Sequence, residues 1–160
     1  MVIDTGDKFI ARANDYVIER AREFYKSMAD KIESIGDIPN GKGWYMSTEL
    51  ISSTLDKLKQ FPAALVLICH TKTEKKKDGT REYDHDTINI GGQMGTSLLH
   101  WADHTLYWKA RVIGDTIERN IRTKPCEQFE AGSRGNVVPD GFRITTDMDE
   151  SFKRFKALFN

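Results

Sequence analysis

A few residues in this 160-residue chain are placed where they could do chemistry. Asp4 ends the apolar run Val2-Ile3 and is followed by Thr5 and a helical pattern from Asp7. A carboxylate at the end of a buried strand stands on the edge where open α/β sheets bind ligands, and there it can hold Mg²⁺ through water. The same residue could instead cap the helix that follows. His70 directly follows a second apolar run, Ala63 to Cys69, at the equivalent edge, where it can touch a bound phosphate or an attacking water; otherwise it is a solvated loop histidine. Arg119, Arg122 and Lys124 lie on or just after a third candidate strand. Alternation puts Ile121 and Thr123 on one face and Arg122 and Lys124 on the other. Cations there could reach a neighbouring subunit's nucleotide and stabilise transition-state charge, or simply be solvated.

Three other patterns have competing explanations. Gly36 to Gly43 has the G-x-x-x-x-G-K spacing of a phosphate loop, but Gly43 stands where Ser or Thr should hold Mg²⁺. The segment follows an amphipathic helix rather than a strand, and Pro39 removes an N–H that would cradle phosphate. A helix-to-helix turn is the better reading. His100 and His104 are spaced i, i+4, which on one helix face could bind Zn²⁺. With Asp4 and His70 they could make a small metal-dependent hydrolase, although no third ligand to that histidine pair is identifiable and chance spacing explains it. Lys72 to Arg81 carries five cations (Lys72, Lys75, Lys76, Lys77, Arg81) and two anions, and leads to Gly91-Gly92-Gln93. A basic loop facing a glycine-rich helix start suits phosphate-backbone contacts that weaken with salt; a solvated surface is the alternative.

The elements that must position these residues are read from periodicity. Phe9, Ala13, Tyr16, Val17, Ala21, Phe24, Tyr25, Met28 and Ile32 predict one long helix from Asp7 to near Gly36. A second helix is expected over 45–60, with Leu50, Ile51, Leu55 and Leu58 as its stripe. Ala63 to Cys69 reads as a central strand buried on both faces, and Cys69 as a buried thiol. Strand, two helices and strand predict an α/β fold with parallel pairing. Residues 71–90 read as a polar, mobile basic loop. A short helix then carries Met94, Leu98, Leu99 and Trp101, with strands at 104–111, 115–123 and 141–145. A loop over 127–139 contains Gly132 and Gly135, and a closing helix covers 149–159 with Phe159 in its stripe.

Composition sets the frame. Lys plus Arg is 24 and Asp plus Glu is 24, so no global field draws in nucleic acid or membrane, and any such contact must be local. Two cysteines are too few for a disulfide framework. The longest apolar stretch, Phe61 to Cys69, is far short of a membrane span, and no basic leader precedes Val2. The expected setting is cytoplasmic, with one domain over 1–160.

The order of these features resembles the second half of a RecA-like ATPase core. Val2-Ile3-Asp4-Thr5, Gly41-Lys42-Gly43-Trp44, Leu65 to His70, Ala102 to Tyr107, Arg122 to Pro125, Glu130 to Arg134 and Val138-Pro139 carry the resemblance. Together they look like phage and prophage nucleotide-binding proteins of the AAA/RecA-like P-loop class, associated with single-strand annealing and recombination in a bacterial host cell. The resemblance implies a truncated RecA-like core: a mostly parallel sheet flanked by helices, with an antiparallel C-terminal portion. It implies ATP and Mg²⁺ as ligands, with Asp4 as the Walker B carboxylate and metal anchor, Thr5 beside it, and His70 at the γ-phosphate-sensing position. Arg122 and Lys124 would act across a subunit interface. Lys72, Lys75, Lys76, Lys77, Arg81, Gly91, Gly92 and Gln93 would fall in the regions of the DNA-binding loops. The family has a strand and a phosphate loop before the Asp strand, at which this chain begins. The expectation is therefore a split or remnant module that pairs with itself or with a partner supplying that loop, with single-stranded DNA as a further partner. A non-enzymatic nucleic-acid-binding or assembly module that keeps the fold is the alternative.

Overall fold

The computed structural model describes residues 1–134 and 139–158. The sequence expectations at Gly135, Val138 and Phe159 lie outside them. The chain divides into two compact units, Met1–His70 and Thr71–Asn160.

In the first unit, β1 (Val2–Asp4) leads into α1 (Gly6–Phe24), and α2 (Lys42–Lys59) leads back to β2 (Val66–Ile68). The two strands pair in parallel, with Val2 opposite Val66, Ile3 opposite Leu67 and Asp4 opposite Ile68. The expected long helix stops at Phe24. Residues Lys26–Lys31, Ile35–Asp37 and Pro39–Gly41 form separate 3₁₀ turns. The reason is packing. A straight helix would carry Ile32 about 16 Å beyond Ala21, whereas the turns fold Ile32, Ile35 and Ile38 back onto Val17 and Ala21. The Arg22 Nε donates to the Ile32 carbonyl at 2.8 Å, and Asp37 accepts from Ser34 to close a capping box. Ile51 and Leu55 of α2 are likewise buried.

The run ending at Cys69 was expected to be buried on both faces. Instead only Val66–Ile68 is extended, with Val66 and Ile68 exposed and Leu67 turned inward. The alternation leaves Leu65, Leu67 and Cys69 half-buried, and none of the three is fully enclosed. Val2 is exposed on the same pair. Gly6 lets α1 start close against β2, since a Cβ there would stand 2.7 Å from the Cys69 Sγ.

Among the described residues the pairing in the second unit is antiparallel except at the Asp86–Phe129 bridge. β3 (Thr71–Asp78) and β4 (Arg81–Ile88) form a hairpin turning at Gly79, whose φ is +59°. This replaces the expected loop. The charges that leave the segment without apolar content pair across the strands: Lys75 with Asp84 at 2.7 Å and Lys77 with Glu82 at 2.8 Å. α3 (Gly92–Trp101) follows, then β5 (His104–Thr105), which pairs with β8 (Gly132–Ser133). β6 (Tyr107–Ile113), β7 (Thr116–Arg122) and β9 (Gly141–Ile144) form a three-stranded sheet. The expected strand over 104–111 is thus two strands in different sheets. α4 (Met148–Lys156) is capped by Asp147, which accepts from the Glu150 N–H. The architecture is mixed α/β, with a parallel pair, antiparallel ladders and flanking helices. No helix among the described residues is long and apolar enough to cross a membrane.

Candidate functional site

The carboxyl edge of the β1–β2 pair gathers a carboxylate, a hydroxyl and an acid–imidazole pair. Asp4 ends β1 and is exposed. It does not cap α1, whose N-cap is Thr5 in an extended conformation. The Thr5 Oγ1 is buried and makes no full hydrogen bond among the described residues, although the Thr5 side chain helps to hold the Asp7 carboxyl down. Buried hydroxyls are nearly always paired, so this oxygen is a donor site in waiting. In the first turn of α1 lies Asp7, whose two carboxylate oxygens stand 3.2 and 3.1 Å from the His70 Nδ1. The pairing with His70 holds the Asp7 carboxyl down to about 2. Burial, with the Asp7 charge adding to it, pushes the half-buried Cys69 thiol up to about 11, so this sulfur stays protonated.

Sequence reasoning placed Asp4, Thr5 and His70 at this edge and missed Asp7. The signal was present as an acid in the first helical turn, but only the parallel pairing of residues 2–4 with 66–68 brings residue 70 to residue 7. The donor set fits a hard, oxygen-seeking dication: an exposed carboxylate beside an unpaired hydroxyl, suited to holding a hydrated Mg²⁺ rather than enclosing it. It does not fit a phosphate grip. The Asp7 charge already occupies the start of α1, where backbone N–H groups would otherwise favour an anion.

The phosphate-loop spacing at Gly36 to Gly43 is a packed turn, as its neighbours suggested. A Cβ on Gly43 would stand 2.0 Å from the Ile35 carbonyl oxygen, so this glycine is required by close backbone approach. Nor do His100 and His104 share a helix face, because α3 ends at Trp101 and His104 lies in β5 with its Nδ1 2.6 Å from the Ser133 Oγ. No group of three or more His, Cys, Asp or Glu side chains among the described residues could hold a metal ion.

In the second unit the candidate nucleic-acid residues fall on both faces of the hairpin. Lys72 and Lys76 line a cleft of about 710 Å³ together with Gly92, His100, Ser133 and Arg134. Lys72 pairs with Glu74 at 2.6 Å and Lys76 with Glu130 at 3.4 Å. Lys75 and Lys77 alternate to the other face, and Arg81 pairs with Glu127 at 3.1 Å. Across the whole hairpin five cations meet five anions, so the basic character seen over 72–81 is cancelled by β4. Gly91 is the N-cap of α3, Gly92 has a φ of +60° that favours glycine, and Gln93 is exposed in the first turn.

Two polar groups that hold this unit together carried no sequence signal. His85 is buried, with Nδ1 2.6 Å from the Glu127 carbonyl oxygen and Nε2 3.0 Å from Glu130. Asp86 accepts from the Tyr107 hydroxyl and from Thr73, and these bonds hold its carboxyl below the usual range. On β7, Ile121 is buried and Arg122 exposed, and Thr123 just beyond is buried, so the alternation expected there is present. Lys124 is paired with Asp140.

A family model described as an AAA domain matches residues 1–135. No curated protein matches the chain, and no solved structure does.

Proposed function

The chain belongs to the AAA domain family, whose AAA-type P-loop class is nucleotide-binding and generally uses Mg²⁺, and on that premise we propose that it is a partial RecA-like ATP-binding module of phage or prophage origin serving DNA recombination or single-strand annealing. The observation that carries this reading is the carboxyl edge of β1–β2, where exposed Asp4, the unpaired Thr5 hydroxyl and His70 lie on adjacent parallel strand ends. A bound Mg²⁺ would supply charge neutralisation between the nucleotide's terminal phosphates. Asp4 would hold that ion through water, Thr5 would offer its hydroxyl to the bound nucleotide, and His70 would face its γ-phosphate. The glycine-rich turn at 36–43 is consumed by packing against Ile35, so a partner supplies the phosphate loop. Arg122, exposed at the end of β7, and Lys124, once released from Asp140, act on the nucleotide of a neighbouring subunit.

Single-stranded DNA is the proposed polymer partner, contacted by Lys72, Lys75, Lys76, Lys77, Arg81 and the Gly91-Gly92-Gln93 helix start. Because the hairpin is neutral overall, phosphates must displace Glu82 and Asp84 from Lys77 and Lys75, so the affinity is modest and salt-sensitive.

Titration of Mg²⁺-ATP into the protein, with Asp4→Ala alongside, tests the core of this reading. Binding that requires Mg²⁺ and is lost in Asp4→Ala is the expected result. Equal binding by both proteins would remove Asp4 from the site, and absence of binding by either would remove the ATP reading.

A further inference from the structure

Resting on the nucleotide-site reading above, we propose that Asp7 is a positioning residue that locks His70 in the tautomer protonated at Nδ1, leaving Nε2 as the proton acceptor for the water that attacks the bound nucleotide.

The geometry admits one arrangement for a neutral ring. Both Asp7 oxygens approach the same ring nitrogen, at 3.2 and 3.1 Å. An ionised carboxylate only accepts hydrogen bonds, so Nδ1 must carry the proton and donate it. An aspartate carboxyl is ionised at neutral pH in the ordinary course. The lone pair is then on Nε2, on the far side of the ring, which has no protein partner among the described residues. The His70 side chain is 63% exposed and the Asp7 side chain 23%, so the acid is sheltered and the ring reaches out from the strand end. Cys69, beside His70 at this edge, stays a thiol and does not compete for the proton.

In the step this supports, the water oxygen forms a bond to the γ-phosphorus while the bond from that phosphorus to the β,γ-bridging oxygen breaks, its electrons leaving on the nucleoside diphosphate. The water's proton passes to the His70 Nε2. The resulting imidazolium sits against the Asp7 carboxylate, which stabilises it until the proton returns to solvent. A carboxylate in this position fixes the tautomer, and an amide in its place permits the wrong one.

Nitrogen-15 spectra of the histidine rings in the full chain, at a pH where the rings are neutral, read the tautomer directly, with His70→Gln identifying the signals by removing them. The expected His70 spectrum shows the Nδ1–H form in excess by about tenfold or more, as a charge-assisted hydrogen bond demands. Asp7→Asn should abolish that excess with the fold retained, while Asp7→Glu restores part of it. Adding Mg²⁺ with a slowly hydrolysed ATP analogue should move the Nε2 resonance in the unaltered protein. An Nε2–H form in the unaltered protein overturns the pairing and leaves the ATP reading standing. An Nδ1–H form whose Nε2 is unmoved by a nucleotide that binds overturns the catalytic role alone. Absence of any nucleotide binding sinks the ATP reading, and this role with it.

Discussion

Replacing Gly43 by alanine separates the two explanations of the glycine-rich segment at 36–43. A Cβ at position 43 would stand 2.0 Å from the Ile35 carbonyl oxygen, 2.8 Å from its carbon and 2.9 Å from the Ile38 Cδ1. The oxygen belongs to backbone, and it must retreat about 1 Å to reach the 3.0 Å that real Cβ atoms respect. Ile35 and Ile38 are both core residues, so the retreat loosens their packing on Val17 and Ala21. Overpacking of this kind costs about 1–3 kcal/mol or more. Alanine is worth up to about 1 kcal/mol over glycine inside a helix, less in the first turn where residue 43 lies. The clash wins, and a net loss of about 2 kcal/mol lowers the midpoint of thermal unfolding by about 4–8 °C for a chain of this size. Gly36→Ala is the control. Its Cβ would meet only the Ser34 Oγ, at 3.5 Å, an ordinary contact, so its midpoint should stay within a degree or two. Circular dichroism melts of the three proteins, paired with Mg²⁺-ATP titrations, decide the matter. A stable Gly43→Ala refutes the packing argument. A stable Gly36→Ala that loses nucleotide would restore the segment as a phosphate loop.

Other consequences are testable with single substitutions. Tyr107→Phe removes the main hydrogen bond that holds the Asp86 carboxyl down, so Asp86 should titrate nearer the ordinary carboxylate value in carbon-13 spectra, with a stability loss of about 1–2 kcal/mol. Thr123 is 1% exposed and its hydroxyl donates to the Pro139 carbonyl; Thr123→Val should cost about 1–2 kcal/mol in denaturant melts, because that carbonyl loses its partner. Because the Asp7 carboxyl is depressed in the folded state, its pairing contributes fully above the ordinary value near 4 and is lost as pH falls through about 2. Acid titration of Asp7→Asn should therefore lack the part of the stability loss that the unaltered protein shows in that interval. Neutralising Lys75, Lys76 and Lys77 together should weaken single-stranded DNA binding and flatten its salt slope. Stability should change little, because exposed pairs such as Lys75–Asp84 contribute about 0–1 kcal/mol each.

Elements carried by apolar spacing were legible in the sequence, and those carried by polar pairing were not. The stripe Leu50, Ile51, Leu55 and Leu58 marked α2, and alternation at Ile121 and Thr123 marked the buried side of β7 and its extension. The end of α1 was missed because 3₁₀ turns repeat every three residues, so Met28 and Ile32 continue a helical-looking pattern after the axis has broken. The hairpin was missed for a different reason. Its strands pair through the backbone with opposite charges facing across them, Lys75 on Asp84 and Lys77 on Glu82, which an apolar count ignores, although Gly79-Thr80 is a two-residue hairpin turn with glycine first. At the site, Asp4 and His70 could be found as residues ending apolar runs. Asp7 could not, because its contact with His70 spans 63 positions and exists only through the pairing of β1 with β2.

The charge at the β1–β2 edge makes a further demand that distinguishes a metal-assisted site from a simple anion pocket. Asp4 is an exposed carboxylate, and Asp7 is ionised throughout the neutral range. Without a dication, a nucleotide triphosphate brought to this edge meets like charge, at about 1–4 kcal/mol for each carboxylate–phosphate contact near 4 Å at surface dielectric values. With Mg²⁺ on Asp4 the sign of that interaction reverses. Chelating Mg²⁺ should therefore reduce ATP affinity by at least about tenfold in the unaltered protein, the change that 1.4 kcal/mol produces. Asp4→Asn should behave in the opposite way: weaker than the unaltered protein when Mg²⁺ is present, because the anchor is gone, and tighter when it is absent, because one repulsion is gone. Raising salt should narrow both differences, since the groups are open to solvent. The crossing of the two affinities is the signature of a carboxylate that serves a metal. If Asp4→Asn instead binds more weakly than the unaltered protein in both conditions, Asp4 contacts the nucleotide itself or supports the fold, and the metal role assigned to it is wrong.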